Sequence, residues 1–159
     1  MRALIVSVAI ASATLIGEAL AVNSSIAPVI PTPVVGLWQL QSYEVEVQSS
    51  GERMTPMGSS PSGYVNFGQD GRVFFMFTAE GHKDRLDTLI AYTGRYTLDG
   101  DKWTTKVEVA WNPAWVGTSQ TRQFALQGDT LKVLTPWRVM PNWASKGMTR
   151  SIITFRSGR

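Results

Sequence analysis

Arg122 stands in the run Gln120-Thr121-Arg122-Gln123-Phe124-Ala125-Leu126. Successive side chains of an extended strand point to opposite faces, so Gln120, Arg122, Phe124 and Leu126 share one face. The hydrophobic members of that set predict that the face is the inner one. A guanidinium placed among apolar groups is costly unless something satisfies it. Either an internal network with Glu44, Tyr92 or Tyr96 does so, or the planar fork grips a guest's carboxylate, enol or carbonyl. A network that opens to admit a guest reconciles the two.

Other candidates follow the same alternation. Tyr92 and Tyr96 flank Gly94 on one face, and the missing side chain leaves a gap that can admit a guest or seat a large ring. Trp103, Thr105, Val107, Val109 and Trp111 share a second inner face, opposite Lys102, Lys106 and Glu108. Trp111 and Trp115 bracket Asn112-Pro113, a turn whose indoles suit a flat apolar guest, a protein partner or a simple cap. His82 is the single histidine and lies among charges in Glu80-Gly81-His82-Lys83-Asp84, the setting of a solvated loop residue. No nucleophile elbow accompanies it, and no phosphate-binding loop or dinucleotide fingerprint is present.

Composition removes whole classes of chemistry. There are no cysteines, so disulfides, thiolate nucleophiles and cysteine-ligated metals are excluded, and one histidine makes no transition-metal site; no metal or cofactor is expected. The net charge is +3, with the basic residues scattered singly, so no stripe exists to track phosphates and no nucleic-acid partner is expected. Apolar residues at 43% and charged residues at 17% mark a folded chain with a core.

The first residues read as an export signal. Met1-Arg2 gives a positive start, Leu4 to Gly17 an apolar run, and Ala19-Leu20-Ala21 a small-x-small cleavage site. The expectation is a signal peptide over 1–21, cleaved after Ala21, and a secreted or periplasmic product without stable membrane insertion. A proline-rich leader over 22–35 follows, with Pro28, Pro31 and Pro33 favouring an extended tether. The remaining 36–159 form one domain.

These side chains need a scaffold of strands. Gln69-Asp70-Gly71, Asp99-Gly100-Asp101 and Gln127-Gly128-Asp129 are tight-turn signals between runs rich in aromatic and β-branched residues. Reading outward predicts about eight strands near 36–48, 63–68, 72–78, 89–98, 102–111, 118–126, 130–135 and 149–157. Long connections fall between them at 49–62, 79–88, 112–117 and 136–148, and one turn of helix is possible at 83–89. Eight sequential antiparallel strands must manage two edges, and closing the sheet does this. The class is therefore all-β, an up-and-down antiparallel barrel with little helix. The strand at 72–78 leaves its inner face open, because Phe74 and Met76 compete with Phe75 and Phe77.

An ordered series of motifs then resembles the bacterial and fungal lipocalin-like domain family. It runs through Gly36-Leu37-Trp38, Leu40-Gln41-Ser42-Tyr43-Glu44, Pro56-Met57-Gly58, Pro61-Ser62-Gly63-Tyr64 and Asp70-Gly71-Arg72. It continues through Tyr92-Thr93-Gly94-Arg95-Tyr96 to Asp101, then Asn112-Pro113-Ala114-Trp115-Val116-Gly117-Thr118, Arg122, Phe124 and Gly128-Asp129. The resemblance implies a small barrel with a hydrophobic interior. It also implies that Trp38 plugs the closed end beneath an arginine of the last strand, Arg156 or else Arg150. Where the family pattern has a histidine before the fifth strand's Val-Glu, this chain reads Thr104-Thr105-Lys106-Val107-Glu108, so a role resting on that histidine does not carry over.

The leading expectation is a carrier for a small hydrophobic or amphipathic molecule, lined by Tyr64, Tyr92, Tyr96, Thr105, Trp111, Trp115, Gln120, Arg122 and Phe124. The alternative is a cofactor-independent cyclase, isomerase or dehydratase for a polyketide-like or terpenoid substrate, using Arg122, Tyr92, Tyr96 and Glu44. The apolar connection at 136–148, with Trp137 and Trp143, is a lid, a dimer contact or a membrane-touching tip.

Overall fold

The computed structural model describes residues 34–81 and 86–158. The proposed signal segment, nearly all of the leader, and His82 lie outside the described residues. Ten strands follow in order: β1 (Gly36–Val47), β2 (Arg53–Met54), β3 (Ser62–Phe67), β4 (Arg72–Thr78), β5 (Ile90–Asp99), β6 (Lys102–Ala110), β7 (Ser119–Gln127), β8 (Thr130–Leu134), β9 (Arg138–Val139) and β10 (Met148–Ser157). The eight long ones are the eight expected from alternation, each end displaced by one residue at most. They pair antiparallel in the order β1-β3-β4-β5-β6-β7-β8-β10, and β10 returns to β1 with Leu40 opposite Phe155. Closure leaves none of these strands as an open edge. Short 3-10 turns at Leu86–Thr88, Pro113–Trp115 and Pro141–Lys146 supply the helical content.

Strand direction alternates, so connections alternate between the two ends of the barrel. The tight turns after β3, β5 and β7 all fall at one end, where Gly100 and Gly128 take the left-handed backbone that a two-residue turn requires (φ 57° and 59°). Every long connection falls at the other end. The first is a closed end and the second a mouth.

The closed end is packed with interlocking rings. The Phe67 ring centroid lies 5.1 Å from that of Trp103 and 5.2 Å from that of Tyr96, both edge-to-face. Trp38 Nε1 donates to the Val34 carbonyl at 2.8 Å, and the Tyr96 hydroxyl donates to the Gly68 carbonyl at 3.0 Å. Neither arginine proposed to cap Trp38 does so. Arg156 sits opposite Gln39 with outward parity and pairs with Asp129 at 3.2 Å. Arg150 reaches Glu46 at 2.7 Å and lies over the Trp137 ring at 4.6 Å.

Two bulges reset which residues face inward. In β1 an extra residue at Gln41 shifts the register between Leu40 and Ser42, so Tyr43, Val45 and Val47 are buried after Trp38 and Leu40. Glu44 is thereby turned outward, 3.8 Å from Arg53. In β6 the pairing moves from Gly94–Val107 to Thr93–Val109, leaving Glu108 as the extra residue. Val109, expected inside, is 63% exposed as a result. In β4, Val73, Phe75 and Phe77 face in, while Phe74 and Met76 face solvent.

Candidate functional site

The site is built from the inner faces of β5, β6 and β7, with β9 reaching in from the mouth. Register places Arg122 opposite Trp103, and Gln120 opposite Thr105. Arg122 is only 4% exposed. Its Nη1 donates to the Thr121 carbonyl at 2.8 Å and its Nη2 to Gln120 Oε1 at 3.1 Å. A second guanidinium converges on the same oxygen: Arg138 Nη1 donates to Gln120 Oε1 at 2.5 Å. Arg138 lies on β9 and spreads over the Trp115 ring, 4.9 Å from its centroid.

Gln120 thus holds two cations within about 6 Å of each other. Their mutual repulsion is on the order of 3 kcal/mol at an effective dielectric constant of about 20. Among the described residues no carboxylate lies within ion-pair distance of either guanidinium. Burial, reinforced by the Arg122 charge, pulls Arg138 down to about 10, which leaves it a cation at neutral pH. Burial pushes the Tyr92 hydroxyl above its ordinary value, against the Arg122 and Arg138 charges and a hydrogen bond from Arg122. Burial likewise pushes Tyr43 up to about 12, although its hydroxyl shares a 2.6 Å hydrogen bond with Ser151 Oγ.

Beneath the arginines runs a slot walled by Tyr43, Phe75, Tyr92, Trp103, Trp115 and Ile153. The Phe75 and Tyr92 rings stack at 4.4 Å, and Trp115 meets Tyr92 edge-on at 5.6 Å. The free volume is about 20 Å³, near the size of one water. The broad hollow that alternation suggested is therefore a narrow slot, because large rings from opposite walls interlock. The 136–148 connection covers it: Met140 and Trp143 are buried, and Trp143 meets Tyr43 edge-on at 5.8 Å. Four buried polar atoms around this region have no hydrogen-bond partner in the structure: Trp103 Nε1, Thr105 Oγ1, Arg138 Nε and Trp143 Nε1.

The expected lining divides by position. Arg122, Tyr92 and Trp115 come together on the slot and Gln120 is bonded to Arg122, whereas Thr105 is buried between Tyr96 and Gln120 in the sheet and does not line the slot. Phe124 is half-buried with its ring 5.5 Å from that of Trp103. Tyr96 belongs to the closed end, bonded to Gly68. Tyr64 is 48% exposed, because its neighbours Val65 and Phe67 hold the inward parity of β3. Trp111, past the β6 bulge, contributes to an outer apolar patch with Phe74, Met76 and Val109. The expected gap at Gly94 is closed by backbone: a Cβ there would stand 1.9 Å from the Lys106 carbonyl oxygen. Glu44 is outside, so the four expected acid–base groups do not converge; of them only Arg122 and Tyr92 meet.

Sequence reasoning missed Arg138 and Tyr43. Arg138 is the one cation in the apolar run Pro136-Trp137-Arg138-Val139-Met140, and that isolation was a usable signal. Tyr43 was hidden by the bulge at Gln41.

Residues 35–86 and 78–158 match the lipocalin-like domain family. Among solved structures, an uncharacterized protein from Bacteroides eggerthii is similar, with 14% identity and a TM-score of 0.41 over 77% of this chain and 98% of that one. No curated protein matches the chain.

Proposed function

We propose that this chain, which belongs to the lipocalin-like domain family, is an exported binding protein whose guest is a small, largely apolar molecule admitted through the mouth. One observation carries the proposal: a buried, aromatic-walled slot lies directly under a cluster of polar groups that are not fully satisfied. Ligand sites combine apolar walls with a few convergent polar groups in this way. Export is supported by the three-part pattern of residues 1–21.

At about 20 Å³ the slot does not hold a guest as it stands. Admission requires Trp115 and Trp143 to swing aside. Both ride on short 3-10 turns of the mouth connections, outside the hydrogen-bonded barrel wall. Loops of this kind open at lower cost than strands that share a ladder on each side.

Titration with the neutral probe N-phenyl-1-naphthylamine tests the role. Saturable binding with one site per chain is expected, accompanied by quenching of tryptophan emission. Val133→Phe adds a ring to the slot wall and should weaken binding roughly tenfold or more, whereas the outer-face change Met76→Ser should leave it intact. Binding that ignores Val133→Phe and disappears with Met76→Ser would move the guest to the outer patch and end the proposal.

A further inference from the structure

We propose that the guest carries a carboxylate-like anion gripped jointly by Arg122 and Arg138, an inference that rests on the binding role proposed above. The two guanidiniums share one amide oxygen, and an amide carries no net charge to offset theirs. Elsewhere the chain supplies counter-charges freely. Arg53 has Glu44, Arg72 has Glu108, Arg150 has Glu46 and Arg156 has Asp129, all in settings more open to water than Arg122. A buried cation depends far more on a partner than an exposed one. The two arginines at the slot have none among the described residues.

A second observation points the same way. Trp103 Nε1 and Arg138 Nε are buried, unpartnered and on residues that line the slot. Both can only donate. The missing component is therefore an acceptor. A carboxylate supplies acceptors alone, matches the planar fork of arginine, and is more compact than a phosphate or sulfate. The small free volume favours a head group of that size, with the apolar remainder of the guest along Tyr92, Trp115 and the displaced cover.

Calorimetric titration of the full chain with sodium decanoate, 1-decanol and sodium acetate at neutral pH tests this. Decanoate should bind roughly tenfold more tightly than decanol. Arg122→Gln and Arg138→Gln should each remove most of that preference and leave decanol within about twofold. Gln120→Glu places a carboxylate between the guanidiniums, so it should fold at least as well as the natural chain and also abolish the preference. Equal affinity for decanoate and decanol in the natural chain, or a preference that survives Gln120→Glu, would overturn the anion assignment and leave the apolar guest standing. Acetate bound as tightly as decanoate would keep the anion grip and remove the apolar guest. Absence of binding by all three probes would remove both.

Discussion

The closed end and the mouth of this barrel are made of the same residue types arranged to opposite effect. At the closed end Trp38 and Tyr96 bury their rings and hand each polar tip to a backbone carbonyl. At the mouth, Trp143 buries its ring with the indole nitrogen unpartnered, and two guanidiniums crowd one amide. A fully satisfied polar group contributes to stability, whereas a half-satisfied one costs it. The closed end is thus organised for folding, while the mouth tolerates a local penalty of the kind that marks binding sites.

Substitutions should separate the ends by sign. The largest expected effect is Phe67→Ala at the closed end, which removes a fully buried ring and should cost about 3–5 kcal/mol in urea unfolding. Gly94→Ala forces a Cβ against the Lys106 carbonyl at the β6 bulge, and a loss of roughly 3 kcal/mol is expected from the same measurement. A loss below about 1 kcal/mol would mean that the bulge yields easily.

Tyr43 gives a pH signature at the mouth side. Its folded value is raised to about 12 while its unfolded value is 10.0. The unfolded chain therefore releases this proton first, and the Tyr43 contribution is complete below pH 10 and lost as the pH rises through 12. The stability difference between the natural chain and Tyr43→Phe should shrink across that window by on the order of 2 kcal/mol. A difference flat in pH would place the hydroxyl in a wetter setting than the barrel interior.

The sign reverses with Arg138→Met. Replacing a poorly compensated, half-buried cation with an apolar chain of similar length should raise stability by about 1 kcal/mol while the preference for decanoate over decanol is lost. Should this change destabilise the protein as much as Phe67→Ala does, the contrast between the two ends would collapse. The smallest effect is expected from Phe74→Ser on the outer face, within about 0.5 kcal/mol of the natural chain.

The barrel was legible in the sequence because alternation and glycine turns are local signals. The runs on either side of Asp70-Gly71, Gly100 and Gly128 predicted six of the eight wall strands, and reading outward from them supplied the first and the last. The site was legible only in part, and its errors have one main cause. A bulge adds a residue without any strong sequence mark, and every side chain beyond it exchanges faces. Gln41 did this to Glu44 and Tyr43, and Glu108 did it to Val109 and Trp111. Arg122 and Gln120 lie on β7, whose paired register is unbroken, and their placement came through intact. Arg138 comes from a connection whose fold depends on tertiary contacts, such as the Asn142 side chain donating to the Asp87 carbonyl at 2.6 Å. Strand periodicity carries no information about such a segment. The filled interior also escaped prediction, because alternation says which rings face inward and nothing about how deeply they interlock.

Val34 and Gly158 both lie beside β1 at the closed end, where Gly158 donates its backbone N–H to the Leu37 carbonyl at 2.8 Å. Anything joined to either side of the barrel domain, whether a tether, an affinity handle or a fused protein, is attached opposite the Trp115 and Trp143 cover. A sensor chip that captures the chain by either route would present the guest's doorway to the flowing solution, and a linker from 158 back to 34 would need to cross only a short stretch of one face.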